Sequence, residues 1–169
     1  DGGTYRLITE VFQNFGIEFT FVDATNLNAV KSAIKENTKA IFIETPSNPL
    51  LAVTDIRGIA TIAKENNLIS IIDNTFMTPY LQRPLDLGMD ITLHSATKFL
   101  GGHSDIIAGL VVASDDEIIK KLTLIQKSTG TMLAPFDSWL LIRSIKTLKI
   151  RVDYSQSSTL KIIDYLRSH

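Results

Sequence analysis

Short apolar runs alternate with amphipathic helical stretches along most of this 169-residue chain, and that alternation narrows the fold more than any other feature. The runs cover residues 17–22, 40–43, 69–72, 91–93 and 106–113, and Ile, Val and Phe dominate most of them. Such segments predict strands buried on both faces. Between them, Leu27, Val30 and Ile34 fall on one helical face, as do Ile56, Ile59, Ala60 and Ala63. Thr54 or Asp55 is placed to cap the second of these helices. Ser114-Asp115-Asp116-Glu117 has the form of a capping box, opening a helix that carries Ile118, Leu122 and Ile125. The expected fold is therefore α/β, with a mostly parallel mixed sheet between helices. After Gly130 the pattern turns helical, over 139–148 and 152–166, with no further strand. The expected organisation is a large domain over 1–150, then a helical exit over 151–169 toward a second domain. No initiator methionine is present and the start reads as loop, so a piece of a longer protein, cut at both ends, is expected.

Composition excludes several classes. Hydrophobic residues make up 44% and charged residues 21%, the balance of a globular chain and not a disordered one. No apolar run approaches the roughly eighteen residues of a membrane span, and no membrane partner is expected. The chain has no cysteine, which removes disulfide scaffolds, thiolate metal sites and cysteine catalysis, and suits a reducing, cytoplasmic location. From Lys120 onward nine basic residues face three acidic ones. Those cations lie on helical faces with few aromatics between them, the pattern of solvated helix surface and not of a nucleic-acid site.

In a parallel sheet, ligands gather at the carboxyl ends of the strands. Here the second run ends in Glu44-Thr45-Pro46-Ser47-Asn48-Pro49, the third in Asp73-Asn74-Thr75, and the fourth in His94-Ser95-Ala96-Thr97-Lys98. Three successive ends thus carry a carboxamide, a carboxylate, and hydroxyls beside an amine. A lysine at the mouth of a buried site can be desolvated into its nucleophilic form and condense with an aldehyde. A carboxylate opposite it holds a heterocyclic nitrogen protonated, and hydroxyls near free backbone N–H groups hold a phosphate. Aldehyde, protonated ring nitrogen and phosphate together describe pyridoxal phosphate.

Those same segments, with Phe76 and the continuation Phe99-Leu100-Gly101-Gly102-His103-Ser104-Asp105, resemble the signature of the Cys/Met-metabolism pyridoxal-phosphate enzymes. The family includes cystathionine β- and γ-lyases, cystathionine γ-synthase and methionine γ-lyase, and the resemblance runs from Gly2 to about Asp153. It implies that Lys98 forms a Schiff base with the cofactor and then moves protons, and that Asp73 pairs with the pyridinium nitrogen. Ser95 and Thr97 would bind the phosphate, and Asn48 would lie near the phenolic oxygen and the substrate carboxylate. The implied fold is the large domain of a fold-type I enzyme, around a seven-stranded sheet, assembled as a homotetramer of active dimers. Where the family has an aromatic residue before the pair matching Gly2-Gly3, this chain has Asp1. The family's upstream glycine-containing loop, the tyrosine and arginine lent by a neighbouring subunit, and the C-terminal small domain have no counterpart in this sequence.

The implied reaction is carbon–sulfur bond cleavage in cystathionine or a related sulfur amino acid, within methionine and cysteine metabolism. Thr54-Asp55-Ile56-Arg57-Gly58 and Lys127-Ser128-Thr129-Gly130 look most like bacterial cystathionine β-lyase-type members, which favours β-elimination. A γ-synthase or γ-lyase, and an inactive fragment that keeps the cofactor fold, are the alternatives. Other residues take structural readings. Glu44 is at least as good a hydrogen-bonding residue as a site residue, and Arg151 and Trp139 read as structural. His94 and His103 lack a third metal ligand, so no metal is expected. Gly101-Gly102 reads as a tight turn, since no GxxxxGK phosphate loop is present.

Overall fold

The structure, a computed structural model, describes residues 2–169; Asp1 lies outside the described residues. Helix α1 (Gly2–Arg6) opens the chain and is followed by α2 (Leu27–Ala33), β1 (Ala40–Glu44), α3 (Ile56–Glu65) and β2 (Ile69–Asp73). Then come α4 (Thr78–Leu81), β3 (Ile91–Ser95), β4 (Gly109–Ala113), α5 (Asp116–Thr129), α6 (Pro135–Ile145) and α7 (Leu148–Arg167). The sheet order is β1-β2-β3-β4; the first three strands are parallel and β4 runs antiparallel to β3. This is the mostly parallel mixed sheet expected from the alternation of runs and helices.

Capping fixes where the helices start. Asn26 accepts from the backbone N–H groups of Asn28 and Ala29 to open α2, and Asp55 accepts from that of Gly58 to open α3. Asp55, not Thr54, is therefore the cap of α3. At α5 the cap is Asp115, whose Oδ1 takes the N–H groups of Glu117 and Ile118, both at 2.9 Å. The expected box from Ser114 is thus displaced by one residue. A carboxylate that reaches two free amides at the positive end of a helix outcompetes the neighbouring hydroxyl.

Two apolar clusters hold the layers together. The first packs Val30 of α2 and Ile56, Ile59, Ala60 and Ile62 of α3 against Ile43 of β1 and Ile72 of β2. The second joins Ala96, Leu100 and Ile106, from the connection after β3, to Leu141 of α6 and Leu148 and Val152 of α7. The segment that carries Lys98 is therefore bolted to the two C-terminal helices.

Three expectations are corrected. Residues 17–22 form no strand. A strand needs a neighbour's N–H and C=O groups, and none of the four described strands runs beside this segment. Its Phe21 leans on the Tyr5 ring instead, with centroids 5.2 Å apart. The run 106–113 is strand only from Gly109, because Ile106 turns into the second cluster. Nor are the strands covered on both faces: Ile72 is wholly buried, whereas Phe42 and Val111 are 42% and 52% exposed.

This asymmetry predicts a contrast in stability. Ile72→Ala should cost about 2–5 kcal/mol, because it empties a closed site beneath α3. Phe42→Ala should cost clearly less. Urea midpoints for the two variants at constant m-value check the order.

Candidate functional site

The site is built from the carboxyl ends of β1, β2 and β3. Parallel register places Glu44 beside Asp73, and Asp73 beside Leu93, so these side chains share one face of the sheet. Ser95, two residues beyond Leu93, lies on that face as well. Beyond β2 the backbone turns sharply, and Asp73 Oδ1 accepts the N–H of Thr75 at 2.9 Å. Thr75 Oγ1 in turn accepts the N–H of Ser95 at 2.6 Å. One short chain of bonds thereby ties the carboxylate on β2 to the hydroxyl residue at the end of β3.

After Ser95 the chain winds into a compact turn. The N–H of Lys98 donates to Ser95 O at 3.1 Å, that of Gly101 to Ala96 O at 2.7 Å, and that of Gly102 to Lys98 O at 2.7 Å. Ala96 and Leu100 are buried on either side, while Lys98 itself is exposed. Glycine is required twice here. A Cβ on Gly101 would stand 2.7 Å from Ala96 O, and Gly102 adopts φ +72°. The tight-turn reading of this pair holds.

Thr97 sits in the same turn with its hydroxyl engaged: Oγ1 donates to Ala108 O at 3.3 Å and accepts from Ala108 N at 3.0 Å. Asn48 lies exposed in the connection after β1, between the cis peptides Thr45–Pro46 and Asn48–Pro49. That connection closes on itself, with Thr45 Oγ1 accepting from Thr54 N and Ser47 Oγ from Ala52 N. Asp73 and Ser95 are thus linked through Thr75, and Thr97 and Lys98 follow on the turn after Ser95. Asn48 shares the sheet end but makes no hydrogen bond with the other four.

The residues that hold these positions carry little signal in the sequence. Asn74 is fully buried, and its Nδ2 donates to Gln82 O at 2.8 Å while its Oδ1 accepts from Gln82 Nε2 at 2.8 Å. Gln82 Nε2 also donates to Thr45 O at 3.0 Å, which bridges the exits of β1 and β2. The one available signal was adjacency: Asn74 and Thr75 directly follow Asp73. Nothing local marks Gln82. His94 is 94% buried on the opposite face of β3, and its Nδ1 has no hydrogen-bond partner among the described residues. Burial pushes the imidazole below its ordinary pKa, opposed by the nearby Asp73 carboxylate and the Asn74 carbonyl.

The donor set can be compared with the cofactor that the strand ends suggest. Among the described residues Asp73 Oδ2 makes no hydrogen bond, which suits a protonated ring nitrogen. Ser95 Oγ is likewise unengaged among the described residues, a spare donor for a phosphate oxygen. Lys98 presents a primary amine on a fixed turn. These groups fit pyridoxal phosphate. A cleft of about 840 Å³ between α5 and the β3–β4 pair takes in Ser95 but neither Lys98 nor Asp73, so the fit rests on the strand-end groups and not on that cleft.

The comparisons agree. Residues 2–169 match the family model for Cys/Met metabolism PLP-dependent enzymes, and the chain belongs to this family, which is pyridoxal-phosphate dependent. It is 51% identical to cystathionine β-lyase MetC of Bacillus subtilis over 99% of this chain and 43% of the relative. Cystathionine γ-lyase of the same organism is 54% identical, over 99% and 44%. A probable cystathionine γ-synthase of Herpetosiphon aurantiacus is 45% identical, over 99% and 53%. Among solved structures, cystathionine γ-lyase from Lactobacillus plantarum complexed with L-serine superimposes with TM-score 0.98 at 53% identity, covering 99% of this chain and 44% of that one. Metb from Corynebacterium glutamicum gives 0.97 at 46%, with the same coverage. The chain spans about half the length of the relatives it matches, or less.

Two outcomes test the site's construction. Thr75→Val leaves the Ser95 N–H without its acceptor and should cost about 1–3 kcal/mol, while Thr75→Ser should restore most of it. The second concerns pH. The folded-state pKa of His94 lies below its unfolded value of 6.5, so the unfolded chain binds the extra proton first. Unfolding free energy should therefore fall as pH drops below 6.5, and His94→Gln should lack that component; parallel denaturant titrations check it.

Proposed function

We propose that this chain forms the cofactor-binding part of a carbon–sulfur lyase that cleaves cystathionine or a related thioether amino acid, with β-elimination favoured. The observation that carries the reading is that an amine, Lys98, stands on the hydrogen-bonded turn after β3 while the neighbouring β2 ends in Asp73, a carboxylate whose Oδ2 makes no hydrogen bond among the described residues. The relatives named cystathionine β-lyase, at 49–51% identity, support the choice of bond, together with the wording of residues 54–58 and 127–130.

When bound, pyridoxal phosphate supplies an electron sink that stabilises negative charge on a substrate carbon. The residues of the chain do the rest. Lys98 Nζ would hold the cofactor through its aldehyde group. When free, the same amine would serve as the base that takes the substrate's α-proton and later returns a proton. Asp73 Oδ2 would keep a proton on the ring nitrogen. Its Oδ1, anchored by Thr75 N, prevents the carboxylate from rotating away. Ser95 Oγ would donate to the phosphate, and Thr97 would join it by exchanging one of its bonds to Ala108. Asn48 would donate to the phenolic oxygen or the substrate carboxylate. In the whole protein we place this unit over residues 1–150, with 151–169 leading toward a small domain. The assembly is a cytoplasmic homotetramer built from dimers.

A second reading, γ-elimination, has its own support: a relative named cystathionine γ-lyase is 54% identical.

Borohydride added to the chain with pyridoxal phosphate should fix label on Lys98, found by peptide mass, and Lys98→Ala should take none. With the full natural chain and cystathionine, pyruvate with homocysteine marks β-elimination, and 2-oxobutanoate with cysteine marks γ-elimination. Cystathionine formed from an activated homoserine ester and cysteine marks the transferase. Label without turnover of any of these substrates would sink the lyase reading and leave a cofactor-binding protein.

A further inference from the structure

One guanidinium outside the strand ends closes around the turn that carries Lys98. Arg151, in the first turn of α7, donates from Nη1 to Phe99 O at 2.7 Å, from Nη2 to Ser144 O at 3.0 Å and from Nε to Thr147 Oγ1 at 3.1 Å. Phe99 is the residue next to Lys98. Ser144 lies in the last turn of α6, and Thr147 at the junction between α6 and α7. A single planar group thus links the lysine turn to both C-terminal helices.

The turn is shaped to receive it. A Cβ on Gly102 would overlap Arg151 Nη1 and stand 3.0 Å from Nη2, so the glycine leaves room for the cation as well as adopting φ +72°. A second bond lies alongside. His103 Nδ1 donates to Gly101 O at 2.7 Å and lies 3.3 Å from Ser144 Oγ. Below, Leu100 and Ile106 pack on Leu141, Leu148 and Val152. Apolar contact alone would let the turn slide along the helices. The directional bonds from Arg151 fix its height and rotation.

We propose that Arg151 is a positioning residue for Lys98: it sets where the Lys98 backbone stands relative to Asp73, and so where the amine can meet the cofactor. The inference rests on the cofactor reading given above and extends it to a residue that touches neither cofactor nor substrate. An arginine is needed because three acceptors on three segments must be met at once. Lysine offers a single point charge and reaches only part of the set.

The test uses amide hydrogen exchange in the full natural chain, first without cofactor. Arg151→Met should speed exchange at Gly101 and Gly102 by about ten-fold or more, while Ile59 in α3 and Ile72 in β2 keep their rates. Arg151→Lys should fall between wild type and Arg151→Met. Gly102→Ala, which expels the guanidinium, should reproduce Arg151→Met at Gly101. With pyridoxal phosphate at sub-saturating concentration, borohydride-fixed label on Lys98 should drop in the same order. Unchanged exchange at the turn overturns the proposal, and so does equal acceleration at Ile59 and Ile72, which would make Arg151 a general stabiliser. If the wild-type chain takes no label, the cofactor reading fails, and the exchange rates still decide whether Arg151 holds the turn.

Discussion

The parallel pairing of β1, β2 and β3 is the constraint on which the site depends. Because the register sets Glu44 against Asp73 and Asp73 against Leu93, the strands end at nearly the same level and turn their polar residues to one face. A slip of one residue would send Asp73 under α3 and expose Ile72 in its place. The apolar cluster around Ile59, Ile62 and Ile72 forbids that slip, since it would expose apolar surface and bury a carboxylate among aliphatic side chains. Core packing therefore places the carboxylate at one remove.

From there a division of labour appears among the polar groups. Asn74, Gln82 and Thr45 bond to one another or to nearby backbone, and they lie buried or half-buried. Asp73 Oδ2 and Ser95 Oγ, on the same strand ends, are unengaged within the described residues. Polar groups that fix a backbone gain by being fully bonded, because an unmet buried donor is costly. A group that must meet a ligand gains by keeping a bond in reserve. Thr97 falls on the first side of this division in the structure, so its use toward a phosphate requires Ala108 to release one bond.

Much of this was legible in the sequence, and what was hidden shares a cause. Residues 40–43, 69–72 and 91–93 carry their strand signal in their own composition, and Asp73 follows the second run directly while Ser95 and Lys98 come shortly after the third, so strand ends and candidate site could be read together. Residues 17–22 carry the same composition and form no strand, because pairing depends on a neighbour that local pattern does not report. The shift of the α5 cap from Ser114 to Asp115 was a competition between two adjacent good caps, settled by geometry. Gln82 reaches Thr45 across 37 positions and Arg151 reaches Phe99 across 52. No periodicity or motif spacing encodes contacts of that kind.

The breadth of the resemblance says what this unit determines and what it leaves open. Relatives named β-lyase, γ-lyase and probable γ-synthase match the same segment at 45–54% identity. Holding a ring nitrogen protonated, anchoring a phosphate and moving a proton at the α-carbon are steps that all these reactions share. They are the steps we propose for Asp73, Ser95 and Lys98. The choice between the β- and γ-bond requires discrimination further along the substrate side chain, at groups that see its sulfur and its second proton. The rigidity of the strand ends is consistent with that split: a fixed cradle can serve several reactions provided that specificity is set by other surfaces facing it.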